Sequence, residues 1–407
     1  MDGAPAGRAP TLLSVLRPGA QRYRLYEALR AAGECVWDRP LRAWVVTSHR
    51  AVSAAAADPR LSSVRYPDLA AVPAGLRPVA TLLSRQMLYR DAPDHGRLRG
   101  VVNRAFAARA VAALRPAVES VADRLLSAVA PTGRIDVVAD LAEPLPAEVI
   151  GELLGLPAAD RARVVGWSKA LAPVVGGARV GDAAQAAART AVDRLADYLA
   201  GFYAGGGGRG PAANLRAAAA EARLTPEELA ANTVLLFLAG HETTTHLLGN
   251  AVRALLTDPA QRDRFVADPA APEALAELLR YDPPVQLILR RAVTDVELAG
   301  AAVRAGDPVL LVVGAANRDP AVFADPHRLD LARAGGRHVS FGAGPHYCLG
   351  AALARIEVEV ALAALFARLP GLTLPPQPAD WLPSLDFRGL RRLELCFPPA
   401  QGVRFSR

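Results

Sequence analysis

Cysteine is scarce in this chain of 407 residues: Cys35, Cys348 and Cys396 are the only three, far apart, with none of the paired spacing of a zinc site or a disulfide framework. A reducing cytoplasm is the expected compartment. Lysine is scarcer still. Lys169 stands alone, so the formal charge of +7 and the pI near 9.7 come from arginines interspersed with acids. No basic tail and no interleaving of aromatic with basic residues is present, which argues against nucleic acid as a partner. Long apolar runs are missing too. Stretches such as Val234 to Ala239 fall far short of the roughly 20 residues that span a membrane. The N-terminal Met1-Asp-Gly-Ala-Pro5 has no basic region followed by an apolar stretch, so a soluble, unanchored protein is expected. What is present is a hydrophobic content of 52% against 21% charged residues, enough for a core that could enclose a cofactor.

Periodicity predicts a mainly α protein with small β-sheets. A helix is expected over Tyr23 to Ala32, then a hairpin in the alternating segment Cys35 to Thr47. Pro67 to Pro78, rich in proline, glycine and alanine, reads as an irregular loop before a helix that follows Asp91-Ala-Pro-Asp94. The stretch Ala107 to Gly201 is helical with proline breaks. Gly205 to Gly208 has neither the preceding strand nor the Lys-Ser/Thr of a phosphate loop, and reads as an interhelical loop. Thr225-Pro-Glu-Glu228 combines a threonine cap, proline at the first helical position and acids in the first turn, so a long helix should run to about Leu256. A shorter helix starts at Pro272 and stops near Tyr281-Asp-Pro-Pro284. Strands are expected at Val296 to Leu298 and Val309 to Val313, and a last helix over Leu349 to Leu369. With no repeat and no linker, residues 1–407 are read as a single domain.

Two segments carry chemistry. In Phe341-Gly-Ala-Gly-Pro-His-Tyr-Cys-Leu-Gly350, glycines allow tight turns before Cys348, and a helix opens just after it, whose N-terminal amides would favour a thiolate. Such a loop suits a sulfur ligand to a heme iron. The alternatives are a core cysteine, the role assumed for Cys35 and Cys396, and a nucleophile with His346 as base, although residues two apart on a tight loop rarely face each other. In Ala239-Gly-His-Glu-Thr-Thr244, poor helix formers fall in mid-helix. A local distortion is expected there, with threonine hydroxyls bonding back one turn and a groove at Gly240 open to a small ligand such as dioxygen. Thr243 and Glu242 could then deliver protons.

Both segments resemble the cytochrome P450 family, the first its heme-binding loop and the second its oxygen-activating motif. The resemblance extends to Glu277-Leu-Leu-Arg280, similar to the family's Glu-x-x-Arg element, with Arg328 matching that network's third member. It implies a helical prism around a buried heme b, with iron held by Cys348 and with Phe341, Gly342, His346 and Gly350 shaping the cofactor loop. Ala239 and Gly240 would lie on the opposite face, and His95, Arg99 and Arg290, beside Arg291, would bind the heme carboxylates. Leu235, Leu238, Ala239, Leu287, Ile288 and Leu289 become candidate walls for a hydrophobic small-molecule substrate. Pocket walls are further expected near Tyr66 to Met87 and Trp167 to Val180, mostly apolar with few charges.

The implied activity is monooxygenation, by hydroxylation or epoxidation, in bacterial natural-product biosynthesis. Oxidative coupling, desaturation or a non-catalytic heme-binding recruitment role are the alternatives. Electrons would come from NAD(P)H through a ferredoxin and its reductase, because no Gly-x-Gly-x-x-Gly follows a strand. Docking would be on the Cys348 side near Arg99, Arg104, Arg337 and Arg355 of a monomer.

Overall fold

The longest helix starts where its sequence directs. In the computed structural model, which describes residues 10–17, 19–104, 106–175, 181–207 and 211–399, the Thr225 hydroxyl accepts from the Glu228 amide at 3.2 Å. The Glu228 carboxylate in turn accepts from the Thr225 amide at 3.0 Å, which makes a complete capping box. The helix runs over Pro226–Thr257, 32 residues, hereafter the central helix. Leu235, Leu236, Phe237 and Leu238 are buried in succession, so it is apolar on every side at mid-length, as a core helix must be. It packs on Pro144–Leu153 and on the last helix, Ala351–Arg368. Among the described residues no helix is long and apolar enough to cross a membrane.

The strands meet across the chain. β1 (Cys35–Asp38) and β2 (Ala43–Val46) form the expected hairpin. β3 (Leu61–Ser62), β4 (Ile288–Ala292) and β5 (Pro308–Leu311) complete a five-stranded sheet in the order β1-β2-β5-β4-β3. β2 and β5 pair in parallel, Val45 opposite Leu310, so the N-terminal quarter is bonded directly to the strand that precedes the cysteine loop. Two ladders of two strands lie elsewhere, Arg134–Asp136 with Glu394–Cys396 and Val296–Leu298 with Ala301–Val303.

Several expectations are corrected. The irregular stretch from Pro67 ends early: Ala74–Leu76 is a 3-10 turn and Arg77–Ser84 a helix. Pro78 presets its first turn, and Val79, Ala80 and Leu83 give it a buried face. β5 ends at Leu311, and Val313 opens the short helix Val313–Ala316. Cys396 is exposed on its strand rather than in the core. Gly205 and Gly206 form a turn after the helix Asp182–Ala204, whereas Gly208 lies outside the described residues, as do residues 176–180 of the segment expected to line a pocket.

Candidate active site

The cysteine loop is closed by its own backbone. The Cys348 amide donates to the Phe341 carbonyl at 2.8 Å and the Tyr347 amide to the Gly344 carbonyl at 3.0 Å. Gly344 has φ +68°, and a Cβ there would sit 2.7 Å from the Ala57 Cα, so only glycine lets the loop pass this close to the helix His49–Ala57. Burial pushes the Cys348 thiol pKa up. The Gly350 amide and the guanidiniums of Arg99 and Arg355 act the other way and favour a thiolate. Arg355 lies 4.7 Å over the Phe341 ring, and Arg99 donates to the Tyr347 carbonyl at 2.5 Å. His346 does not serve Cys348 as a base: its Nε2 lies 3.1 Å from the Ser63 hydroxyl, and its ring lies tilted by 42° against that of His95, centroids 4.1 Å apart.

Behind the loop is a buried ion cluster. Glu277 and Arg280, on the helix Pro272–Tyr281, pair through two bonds of 2.6 and 2.7 Å, both side chains 2% exposed. Arg280 also donates to the carbonyls of Asn317 and Pro326, both at 2.9 Å, and to that of Arg328 at 3.2 Å. The expected third member is corrected. The Arg328 side chain is 62% exposed and points to Asp330 at 3.7 Å, so only its carbonyl joins the cluster. Arg333 takes the place instead, its Nε 3.1 Å from both Glu277 oxygens. Asp325, with φ +45°, turns the chain so that the carbonyls of Asp325 and Arg328 point inward, where Arg333 binds both. Asn317 then carries the brace to the loop: its Oδ1 accepts from the Val339 amide at 2.8 Å and its Nδ2 donates to Ser340 Oγ at 2.7 Å. Sequence reasoning noted neither Arg333 nor Ser340.

On the other side of the loop, positive groups gather with one acid among them. Arg290 is 6% exposed, and its one hydrogen bond is to the neighbouring Leu289 carbonyl at 3.0 Å. Arg291 instead reaches out to the Gly306 carbonyl at 2.6 Å, and Arg290 is the one whose charge acts on His346. The Nε2 of His95 is buried without a hydrogen-bond partner. Burial, reinforced by Arg290 and His95, lowers the His346 pKa to about 4, and burial with Arg99 lowers that of His95. Asp91 ends below the ordinary carboxyl value: burial raises it, but Ser62 and Ser63 outweigh this by hydrogen bonding. A site with two guanidiniums, two imidazoles and one already satisfied carboxylate lacks anionic ligands.

The central helix is continuous through Ala239–Thr244, without the break that its composition suggests. The Thr243 hydroxyl bonds back to the Ala239 carbonyl at 2.8 Å and that of Thr245 to His241 at 3.0 Å. Ala239 is exposed, and Glu242 and Thr243 are half-buried, although the residues before and after them are buried, so the helix presents one accessible strip in mid-span. Gly240 does not open the expected groove. A Cβ there would meet Ile150 at 3.1 Å, so the glycine serves close packing on the helix Pro144–Leu153. His246, which sequence reasoning missed, lies 3.8 Å from Glu242, one turn on. It is buried with neither ring nitrogen hydrogen-bonded. Glu357, on the last helix, accepts one hydrogen bond among the described residues, from the Thr244 hydroxyl at 3.4 Å, and burial pushes its pKa up to about 8.

Of the expected substrate walls, Leu235 and Leu238 are buried, Leu235 within the main core. Leu287 packs with Leu12 and Tyr26 in a separate apolar cluster and is no wall of this site, because alternation along the extended chain turns it from its neighbour. That neighbour, Ile288, lies within 3.9 Å of where a Gly342 Cβ would be, and Leu289 is 38% exposed.

Comparison with known proteins places this geometry. A profile described as cytochrome P450 matches residues 269–379. The chain is 38% identical over 390 residues to cytochrome P450 monooxygenase PikC of Streptomyces venezuelae, covering 92% of this chain and 91% of that protein. It is also 38% identical to 6-deoxyerythronolide B hydroxylase of Saccharopolyspora erythraea, covering 91% and 95%. The crystal structure of P450BioI with an acyl carrier protein bearing hexadec-9Z-enoic acid superposes with a TM-score of 0.88 at 30% identity, over 93% of this chain and 99% of that one.

Proposed function

The chain belongs to the cytochrome P450 family and is an oxygen-incorporating oxidoreductase, and from that premise we propose that it hydroxylates or epoxidises a medium-sized or large organic molecule in a bacterial natural-product pathway. The observation that carries the site is the convergence of one loop thiol, three groups that favour its thiolate, and an anion-deficient cluster containing an orphaned buried imidazole. Those residues fit the family's heme. Cys348 would hold the iron, and Arg99, Arg290, His95 and His346 would meet the two carboxylates. The accessible strip at Ala239 and Thr243 would line the opposite face. Bound there, heme supplies dioxygen activation and oxygen transfer.

The chain's own part is to place protons and exclude water. Glu242, half-buried beside His246, and the Thr243 hydroxyl are the groups on the accessible strip that would relay protons. Leu235, Leu238 and Ile288 keep bulk water away from it. The Glu277–Arg280–Arg333 brace keeps the loop fixed through Asn317. Electrons arrive from a separate protein, a ferredoxin served by a reductase, at the Cys348 face. There Arg337 and Tyr347 are exposed, whereas Arg104 is already paired with Glu221 at 2.7 Å.

Cys348→Ser is expected to keep the fold and lose the thiolate-type absorption band of the reduced, carbon monoxide-bound protein. Survival of that band would refute the assignment. Turnover with a surrogate ferredoxin system over a panel of macrolide-sized and smaller lipophilic compounds tests the reaction, with product set against hydrogen peroxide released. Peroxide without product from every compound that binds would refute monooxygenation.

A further inference from the structure

A second cavity lies along the central helix, apart from the cysteine loop. Its volume is about 310 Å³, at the lower end of the roughly 300–1,000 Å³ in which proteins hold small ligands. Arg253 lines it from the helix, and the other walls come from two stretches after the last helix, within residues 374–380 and 390–393. Arg253 stands ten residues beyond Thr243, or about 15 Å further along the helix axis. None of the described residues of the cysteine loop, of the cation cluster beside it or of the strip from Ala239 to Thr243 lines this cavity.

The sequence accounts for its shape. Leu374-Pro-Pro-Gln-Pro-Ala-Asp380 holds three prolines, which have no amide to give to a ladder, so the stretch cannot pair closely along its length with the one it faces. It is fastened at its ends, where Thr373 bridges to Cys396 and the Arg391 amide donates to the Asp380 carbonyl at 2.9 Å. Between them the Gln377 side-chain amide crosses to the Glu394 carbonyl at 2.7 Å. Leu390 and Leu393, both 3% exposed, form an apolar floor, and Leu374 packs against the same core.

Charges around the cavity do not balance one for one. Asp380 has Arg391 at 3.6 Å, and Glu394 has Arg392 at 3.2 Å, so the acids at the rim are each matched. Arg253 is left over. Among the described residues its side chain makes no hydrogen bond and no ion pair. It is also the more enclosed, half-buried where Arg391 and Arg392 are exposed. An arginine on a convex surface can lay its stem along apolar neighbours and keep its head in water. Here the side chain borders a concave space with an apolar floor, so a fork of N–H donors without an acceptor stands beside room for a ligand.

We propose that this cavity is a second ligand site, separate from the reaction site, for a small organic molecule with one carboxylate and a compact apolar body. Arg253 presents a planar fork that a carboxylate meets with two parallel bonds, while Leu374, Leu390 and Leu393 take up the apolar part. The neighbours limit the charge. Asp380 also lines the cavity, and a dianion such as phosphate would bring a second negative charge toward it without a second free cation. An amine would meet Arg253 as a like charge, and a neutral amide would leave its charge unanswered.

The test uses the heme-loaded enzyme saturated with 4-phenylimidazole, which occupies the reaction site by ligating iron and keeps the probes out of it. Binding of 3-phenylpropionate, 3-phenylpropanamide and inorganic phosphate is measured by calorimetry, for the wild type, Arg253→Gln and Arg253→Lys. The expected result is one-to-one binding of the acid, about tenfold tighter than the amide, with the heme absorption band unmoved. In Arg253→Gln the acid should fall to the level of the amide, and Arg253→Lys should recover part of the difference. Both variants should unfold at the wild-type midpoint, because Arg253 has no protein partner to lose. Acid and amide binding equally, the acid binding the wild type and Arg253→Gln alike, phosphate as the tightest ligand, or no measurable binding of the acid at millimolar concentration would each overturn the proposal. So would an acid that displaces 4-phenylimidazole from the iron, because its site would then be the reaction pocket. A midpoint that falls by several degrees in both variants would make Arg253 a packing residue and overturn it as well.

Discussion

Glu277 and Glu357 are almost equally buried, 3% and 1% exposed, yet they live in opposite surroundings. Glu277 accepts from Arg280, from Arg333 and from the Asp330 amide at 3.0 Å, so both its oxygens are claimed several times over. Glu357 has the Thr244 hydroxyl at 3.4 Å and an Oε1 with no partner. The first environment supplies a buried carboxylate with partners on both oxygens, whereas burial in the second pushes the Glu357 pKa up to about 8. The same contrast divides the molecule. Behind the cysteine loop, in the Glu277 brace, cations, carboxylate and carbonyls are matched and the geometry is fixed. Along the central helix, His246 beside Glu242 and Glu357 beside Thr244 keep buried atoms without a hydrogen-bond partner among the described residues.

Breaking the fixed side should have the largest effect. Glu277→Gln leaves Arg280 and Arg333 buried without a counter-charge, and a loss of about 3–5 kcal/mol is expected, seen as failure to recover heme-loaded protein. Arg333→Ala should destabilise by about 1–3 kcal/mol, whereas Arg328→Ala should stay within about 0.5 kcal/mol in urea unfolding. The reverse order would return the third position of the brace to Arg328. On the mobile side, Thr243→Ala should leave the unfolding midpoint nearly unchanged while product formed per electron pair falls about tenfold in favour of hydrogen peroxide. A variant that stays fully coupled would remove Thr243 from proton delivery.

Glu357 sharpens the comparison through pH. Its folded pKa of about 8 lies above the ordinary 4.5, so between those values the folded protein keeps a proton that the unfolded chain gives up. This contribution to stability is complete at low pH and is lost as pH rises toward 8. Glu357→Gln should flatten the pH dependence of the urea midpoint across this window and make the protein the more stable form near its upper end. A wild-type profile that rises with pH and is unchanged by the substitution would show Glu357 to be ionised in the fold. The smallest expected change is that of His246→Asn, which removes the imidazole 3.8 Å from Glu242: product formed per electron pair should fall less than about twofold while the carbon monoxide spectrum stays the same. Unchanged coupling would leave His246 a packing residue under Phe387.

Legibility in the sequence followed distance along the chain. The Cys348 loop, the capping box at Thr225, the Glu277/Arg280 pair and the Ala239–Thr244 segment are each written within a few residues, where spacing and turn chemistry act directly. Errors arose where a role depended on what lies opposite. Gly240 reads as a groove until Ile150 is found against it. Arg328 and Arg333 cannot be told apart until the turn at Asp325 sends one outward and the other in. Leu287 and Ile288 are equally apolar, and only strand alternation decides which touches the loop.

By itself the sequence determined the family and the local form of the cysteine loop and of the capped central helix, because these depend on short-range backbone geometry and side-chain chemistry. Tertiary structure alone decided which arginine closes the brace and, among the described residues, which imidazoles are left without a hydrogen-bond partner. The reason is physical: whether a buried charge is satisfied depends on donors brought from far along the chain, and no local pattern records where they arrive.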